Sequence, residues 1–177
     1  MAKRFIMTAF AQDRVGLVAD LTQMIFESGC NLEETEMTQL EDEFVIMLLF
    51  TGEGSDLTER FSKECRRLEH EKGISAFVRE LTEVMEKSKK RFSCHSLFAE
   101  GVDQAGIVYK ISDFLSKQSI NITRLVSRKM LSPQTGTTIY TVELEMEVPE
   151  GVALHELEHG IQELGHEMHI DFNLNAR

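Results

Sequence analysis

One segment of this chain occurs twice, 90 residues apart. Asp13-Arg14-Val15-Gly16-Leu17-Val18 returns as Asp103-Gln104-Ala105-Gly106-Ile107-Val108, Leu21 meets Ile111, Ile25 meets Leu115, and Asn31-Leu32 returns as Asn121-Ile122. Beyond residue 130 the offset becomes 96, pairing Phe44, Ile46, Leu48 and Phe50 with Tyr140, Val142, Leu144 and Met146, and Leu68, His70 and Ile74 with Leu164, His166 and Ile170. The six extra residues of the second copy fall between about Arg128 and Thr138, in the turn-rich run Met130 to Gly136, as expected of a loop between two strands. A repeat of this length is a small domain per copy rather than a stacking solenoid unit. The expected boundaries are residues 1–86, a linker at 87–91, and residues 92–177.

Charge and composition narrow the function classes. With 19 basic and 30 acidic residues the net charge is −11, the wrong sign for direct contact with nucleic acid. The basic run Lys87-Ser88-Lys89-Lys90-Arg91 between the copies reads as a solvated linker. No apolar stretch reaches 18 residues, so neither membrane insertion nor secretion is expected, and a cytoplasmic location is. Cys30, Cys65 and Cys94 show no paired spacing and an odd count, which suits buried thiols in a reducing compartment.

Within the first copy, Phe5 to Phe10 reads as a strand. Asp13 is placed to cap a helix bearing Leu17, Val18, Leu21, Met24 and Ile25 at helical spacing, and Gly29 stops it. Leu32 to Leu40 and Phe44 to Phe50 read as strands around an acidic turn at Glu41-Asp42. Ser55 is expected to cap a second helix with Leu57, Phe61, Cys65 and Leu68 on one stripe; Gly73 ends it before a last strand from Ile74 to about Leu81. The second copy repeats this order from Phe92 to Leu174. The fold class is therefore α+β: two tandem ferredoxin-like βαββαβ domains, each an antiparallel sheet with both helices on one face.

On the other sheet face the copies differ. Tyr140, Val142, Leu144 and Met146 alternate with Thr141, Glu143 and Glu145, the pattern of a strand wet on one side. The equivalent strand Phe44 to Phe50 is apolar on both. Val45, Met47 and Leu49, extended by Ile6 and Phe10 of a neighbouring strand, would form an apolar patch that soluble proteins cover. The other domain or a second subunit is the expected cover, the linker the alternative, and a homo-oligomer is expected.

Several segments carry a resemblance. The repeated segments are similar to ACT domains, small modules that bind amino acids or related ligands. More narrowly, Gly29-Cys30-Asn31-Leu32-Glu33-Glu34, Glu43-Phe44, Met47-Leu48-Leu49, and Asn121-Ile122 with Leu125-Val126-Ser127-Arg128 resemble the tandem-ACT glycine cleavage system transcriptional repressors. That resemblance implies a non-enzymatic regulator without a cofactor, responsive to an amino acid and acting by contact with a DNA-binding transcription factor. A sensor subunit serving a metabolic enzyme is the alternative. Val15 and Ala105 stand where many ACT loops carry proline, leaving the loop less rigid.

The residues supply their own case for a ligand loop. Asp13, Arg14, Val15 and Gly16 form the first strand-to-helix junction, where an absent side chain at Gly16 lets backbone N–H groups approach a small carboxylate. Asn31 is expected to add an amide. Asp103, Gln104, Ala105, Gly106 and Asn121 repeat the set. The same residue types also serve purely structural ends, since Asp caps helices and Asn tolerates left-handed turns.

His155-Glu156-Leu157-Glu158-His159 matches the zinc protease pattern, which would make the chain a metal-dependent hydrolase. The repeat argues otherwise. His155 and His159 replace Glu59 and Lys63, solvent positions, while Leu157 replaces core Phe61. His70 and His166, each followed by Glu, recur near the end of the second helix, where a cation meets terminal carbonyls. No nucleophile, base and orienting group recur as a set, so neither a catalytic nor a metal site is expected.

Overall fold

In the computed structural model residues 2–82, 91–133 and 136–176 are described, and the chain divides into two compact units, Met1–Met85 and Glu86–Arg177. Of the expected linker, residues 87–90 lie outside the described residues. The first unit runs β1 (Lys3–Gln12), α1 (Leu17–Glu27), β2 (Asn31–Leu40), β3 (Glu43–Gly52), α2 (Leu57–Lys72) and β4 (Ser75–Leu81). In the second come β5 (Phe92–Val102), α3 (Ile107–Lys117), β6 (Asn121–Leu131), β7 (Thr138–Pro149), α4 (Leu154–Met168) and β8 (Ile170–Ala176). Each sheet is antiparallel, in the orders β2-β3-β1-β4 and β6-β7-β5-β8.

Helices cover one face of each sheet because alternate strand residues and one stripe of each helix are apolar. In the first unit Phe5, Met7 and Ala9 of β1 and Phe44, Ile46, Leu48 and Phe50 of β3 are buried with Leu17, Leu21, Met24 and Ile25 of α1 and Leu57, Phe61 and Leu68 of α2. Each such large side chain contributes about 1.5–3 kcal/mol on burial. Leu97, Val142, Leu144, Met146, Ile107, Ile111, Leu115, Leu157 and Ile161 do the same in the second unit.

The duplication extends to hydrogen-bond register. Phe5 faces Phe50 and His95 faces Met146; Met7 faces Val78 and Leu97 faces Leu174; Asn31 faces Thr51 and Asn121 faces Glu147. Even the irregularity is copied, at Leu32/Glu34 in one unit and Ile122/Arg124 in the other. Part of the insertion lengthens strands: Met130 and Leu131 belong to β6, and the turn closes with Ser132 N–H donating to Thr137 O at 2.8 Å.

Helix boundaries correct two expectations. Asp13 does not cap α1; the N-cap is Gly16 at φ 95°, without a side-chain hydrogen bond, and Gly106 at φ 91° does the same for α3. A positive φ at the junction turns the chain into the helix after Asp13 has been left behind on the strand side, where its N–H donates to Asp42 O at 2.8 Å. Ser55 likewise gives way to Asp56, again without a side-chain cap bond. Helix ends keep their geometry while changing residue. Gly29 (φ 71°) and Gly73 (φ 66°) become Ser119 (φ 58°) and His169 (φ 56°).

Interior volumes are exchanged in pairs. A Cβ on Gly52 would lie 2.3 Å from Cys30 Sγ, and the second unit holds Val148 and Ile120 at these positions. Conversely, a Cβ on Gly160 would lie 2.7 Å from Phe114 Cζ, where the first unit has Glu64 and Met24. Gly165 similarly makes room for the Phe172 ring, 3.0 Å from where its Cβ would be.

The three cysteines are free. Cys65 is buried, and that burial pushes its thiol up to about 11. Cys30 is half-buried and raised for the same reason, but Cys94 is exposed, contrary to the expectation of buried thiols, because it lies at the open-face register of β5. Among the described residues no helix is long and apolar enough to cross a membrane.

Candidate functional site

The first loop, between β1 and α1, is organised by Arg14. Its Nη1 donates to Val15 O at 3.3 Å and its Nη2 to Asp20 Oδ2 at 2.7 Å, holding the guanidinium beside the first turn of α1. Asp20 also accepts from Lys72 Nζ of α2 at 2.5 Å. Hydrogen bonds from Lys72 first and Arg14 second hold the Asp20 carboxyl below its ordinary value of 3.8. Val15 is fully exposed at the tip, and Gly16 leaves the helix N-terminus open beneath it.

At the corresponding loop between β5 and α3 the backbone is alike and the chemistry is not. Gln104 replaces Arg14, and its Nε2 donates to Met168 O at the end of α4. Asp103 is paired with Lys129 of β6. Lys110 stands where Asp20 did and bonds Glu167 at 2.7 Å, so the bridge between first and second helix persists with its polarity reversed. Ala105 and Gly106 are exposed.

The structure does not bring Asn31 to the first loop. Asn31 pairs with Thr51, itself opposite Arg4, whereas the loop follows Gln12, opposite Glu43. Arg4 and Gln12 are eight residues apart along one strand, roughly 25 Å. Because α1 carries the chain back along the sheet, β2 runs in the same direction as β1 and starts at the end away from the loop, and the same holds for Asn121, whose Nδ2 donates to Glu147 Oε2 at 3.3 Å. Asn31 instead lines a groove of about 520 Å³ between α1 and β2 with Thr22, Gln23, Phe26, Cys30 and Leu32. Phe26, 79% exposed there, was not singled out by the sequence; it lies off the apolar stripe of α1, the only signal it offers.

The five residues of the expected patch share the face of the first sheet opposite the helices. Phe10 pairs with Val45 and Ile6 with Leu49, while Thr8 separates Met47 from Phe77 of β4. Phe77 is an addition, 66% exposed and stacked on Phe10 with centroids 6.3 Å apart. Phe10 and Met47 are also exposed, and Ile6, Val45 and Leu49 are half-buried. Glu100, Thr141, Glu143, Glu145 and Asn173 occupy the positions of Phe10, Val45, Met47, Leu49 and Phe77 in the second unit.

His155 and His159 are exposed on α4 while Leu157 between them is buried, the same disposition as Glu59, Lys63 and Phe61 on α2. Glu59 and Lys63 form a surface ion pair at 2.7 Å; His159 approaches Glu163 at 3.7 Å. His70 and His166 are exposed in the last turns of their helices.

Comparison with known proteins bears on the first unit most directly: residues 3–79 match the sequence family described as the ACT domain. That match covers most of the first unit. The second unit repeats the fold and register of the matched one. The chain is 32% identical over 53 residues to the glycine cleavage system transcriptional repressor of Escherichia coli (strain K12), a match covering 30% of this chain and 28% of that protein. The matched stretch thus spans less than a third of the repressor's length. Over the whole chain the fold is similar to that of an unknown protein from Galdieria sulphuraria, with TM-score 0.82, 23% identity and coverage of 100% and 99%. A putative glycine cleavage system transcriptional repressor has TM-score 0.72 at 16% identity, covering 99% of this chain and 97% of that one. Sequence similarity to a transcriptional repressor is thus confined to part of this chain, and the likeness over its full length is one of fold.

Proposed function

We propose that this chain is a non-enzymatic regulator that senses an amino acid in the first ACT loop and acts through protein contact, as a transcriptional co-regulator of the glycine cleavage repressor kind. The observation carrying this reading is the Arg14 guanidinium beside the open N-terminus of α1. A ligand carboxylate there meets a fixed cation and backbone N–H groups together, the combination that favours small anions. Asp20 is the built-in competitor for Arg14; when a ligand takes the guanidinium, Lys72 retains Asp20. At the second loop Gln104 adds no charge and each lysine has its own carboxylate, Lys129 on Asp103 and Lys110 on Glu167, whereas at the first loop Arg14 shares Asp20 with Lys72, so the first loop is the stronger candidate. A net charge of −11 favours action through a partner's DNA-binding surface over direct contact with DNA.

Calorimetric titration with the twenty amino acids tests the sensor part. Heat is expected with a subset of them, with affinity falling about tenfold or more in Arg14→Ala and unchanged in Gln104→Ala. No heat with any of the twenty removes the amino-acid reading. The co-regulator part is tested by whether a purified DNA-binding activator of glycine cleavage genes binds this chain, and whether the ligand changes that affinity.

A further inference from the structure

We infer that the open face of the first sheet is a docking surface for a second copy of this chain, sheet against sheet, about a two-fold axis running along the strands. Three observations carry it. Ile6, Phe10, Val45, Met47, Leu49 and Phe77 make an apolar field around Thr8, on the face of the sheet opposite α1 and α2, and no described element of its own unit is placed on that face. Apolar area of this kind marks an interaction surface, and paired antiparallel sheets bury such faces at about 10 Å separation.

Charge selects the partner. Glu34 and Glu36 of β2 share this face, since they stand opposite Leu49 and Met47, and Arg79 of β4 shares it on the other edge, opposite Ile6. The face is thus acidic along one edge and basic at the other, with the apolar field between them and Arg4 and Glu43 at opposite ends of the two central strands. Rotation about an axis along the strands exchanges the edges, setting the acidic edge of one copy over the basic edge of its partner. A two-fold axis across the strands would instead stack acid on acid. The register goes further: Glu34, Leu49, Ile6 and Arg79 form one cross-strand row, so a two-fold along the strands brings Glu34 over Arg79 of the partner at the same level, twice per dimer. Such self-complementarity is what an isologous interface requires.

Sedimentation equilibrium of the full chain is the test. The wild type is expected to be a dimer. Met47→Glu is expected to raise its dissociation constant about a hundredfold by burying carboxylates at the centre. Arg79→Glu and Glu34→Arg should each weaken it, both being exposed-edge changes that leave the core intact. The double swap, Glu34→Arg with Arg79→Glu, should restore it. A monomeric wild type, as when the face is covered within the chain or by a different protein, overturns the proposal. So does a dimer indifferent to Met47→Glu, or one in which the double swap is no better than either single change. Circular dichroism melts of each variant separate misfolding from dissociation.

Discussion

Position for position, the aromatic cluster Phe5, Phe50 and Phe61 of the first unit becomes His95, Met146 and Leu157 in the second. The three rings lie 5.1 to 5.6 Å apart, tilted and stacked, at the centre of the first core. In the second, a buried histidine takes the first place, its Nε2 2.9 Å from Ser93 Oγ. Sheet order, register, bulge and left-handed helix ends are nevertheless shared. What fixes this fold is therefore the alternation of inward and outward positions and the backbone turns, while the identity of the interior groups is free to vary if volume and polarity are compensated.

That comparison can be broken most severely by carrying one core residue across without its companion. Phe5→His places an imidazole where Lys3, rather than a serine, occupies the position equivalent to Ser93. A loss of about 3–5 kcal/mol from the first unit is expected in urea titration, with partial recovery in Lys3→Ser with Phe5→His. Next in size is Gly160→Ala, which drives a methyl into the Phe114 ring and should cost the second unit about 1–3 kcal/mol; adding Phe114→Met, the residue type of the first unit, should return most of it. In the opposite direction, His169→Gly restores the residue that the first unit uses at a left-handed helix end. A gain of a few tenths to about 1 kcal/mol is expected, the relieved strain exceeding the added chain entropy.

The smallest effect concerns pH. Asp20 and Glu167 both have lowered carboxyl values, each through a lysine hydrogen bond as its first cause. Lowered acids stabilise the fold above their unfolded values and lose that contribution as pH falls through the folded ones. Below pH 3.8 the first unit should therefore lose amide-exchange protection more steeply in the wild type than in Asp20→Asn. Glu167→Gln should flatten the second unit's acid limb less, since that pair is more exposed to solvent.

Element order and sheet faces were legible because period-two and helical patterns occur twice in one chain, each copy checking the other. The apolar Phe44 to Phe50 run and the drift of Glu59 and Lys63 to His155 and His159 were both read this way. Asp13 was misread as a cap because composition places a capping residue near a helix but does not reveal that Gly16 turns the chain at positive φ. Asn31 was misplaced for a topological reason: proximity in sequence to α1 hides the length of helix that carries the chain to the other end of the sheet. The bulge at Leu32/Glu34 left no compositional sign.

The paired exchange of volumes has a consequence for inheritance. A gene holding two similar halves is exposed to recombination between them, which would splice the front of one copy to the back of the other. In one such hybrid Cys30 would meet Val148, at the place where even a Cβ built on Gly52 would lie 2.3 Å from its sulfur. In the reciprocal hybrid Phe114 would meet Glu64 instead of Gly160, again without room for the ring. Each half has thus become a poor spare part for the other, so recombinants that shorten the gene to a single hybrid domain would be disfavoured at the level of folding.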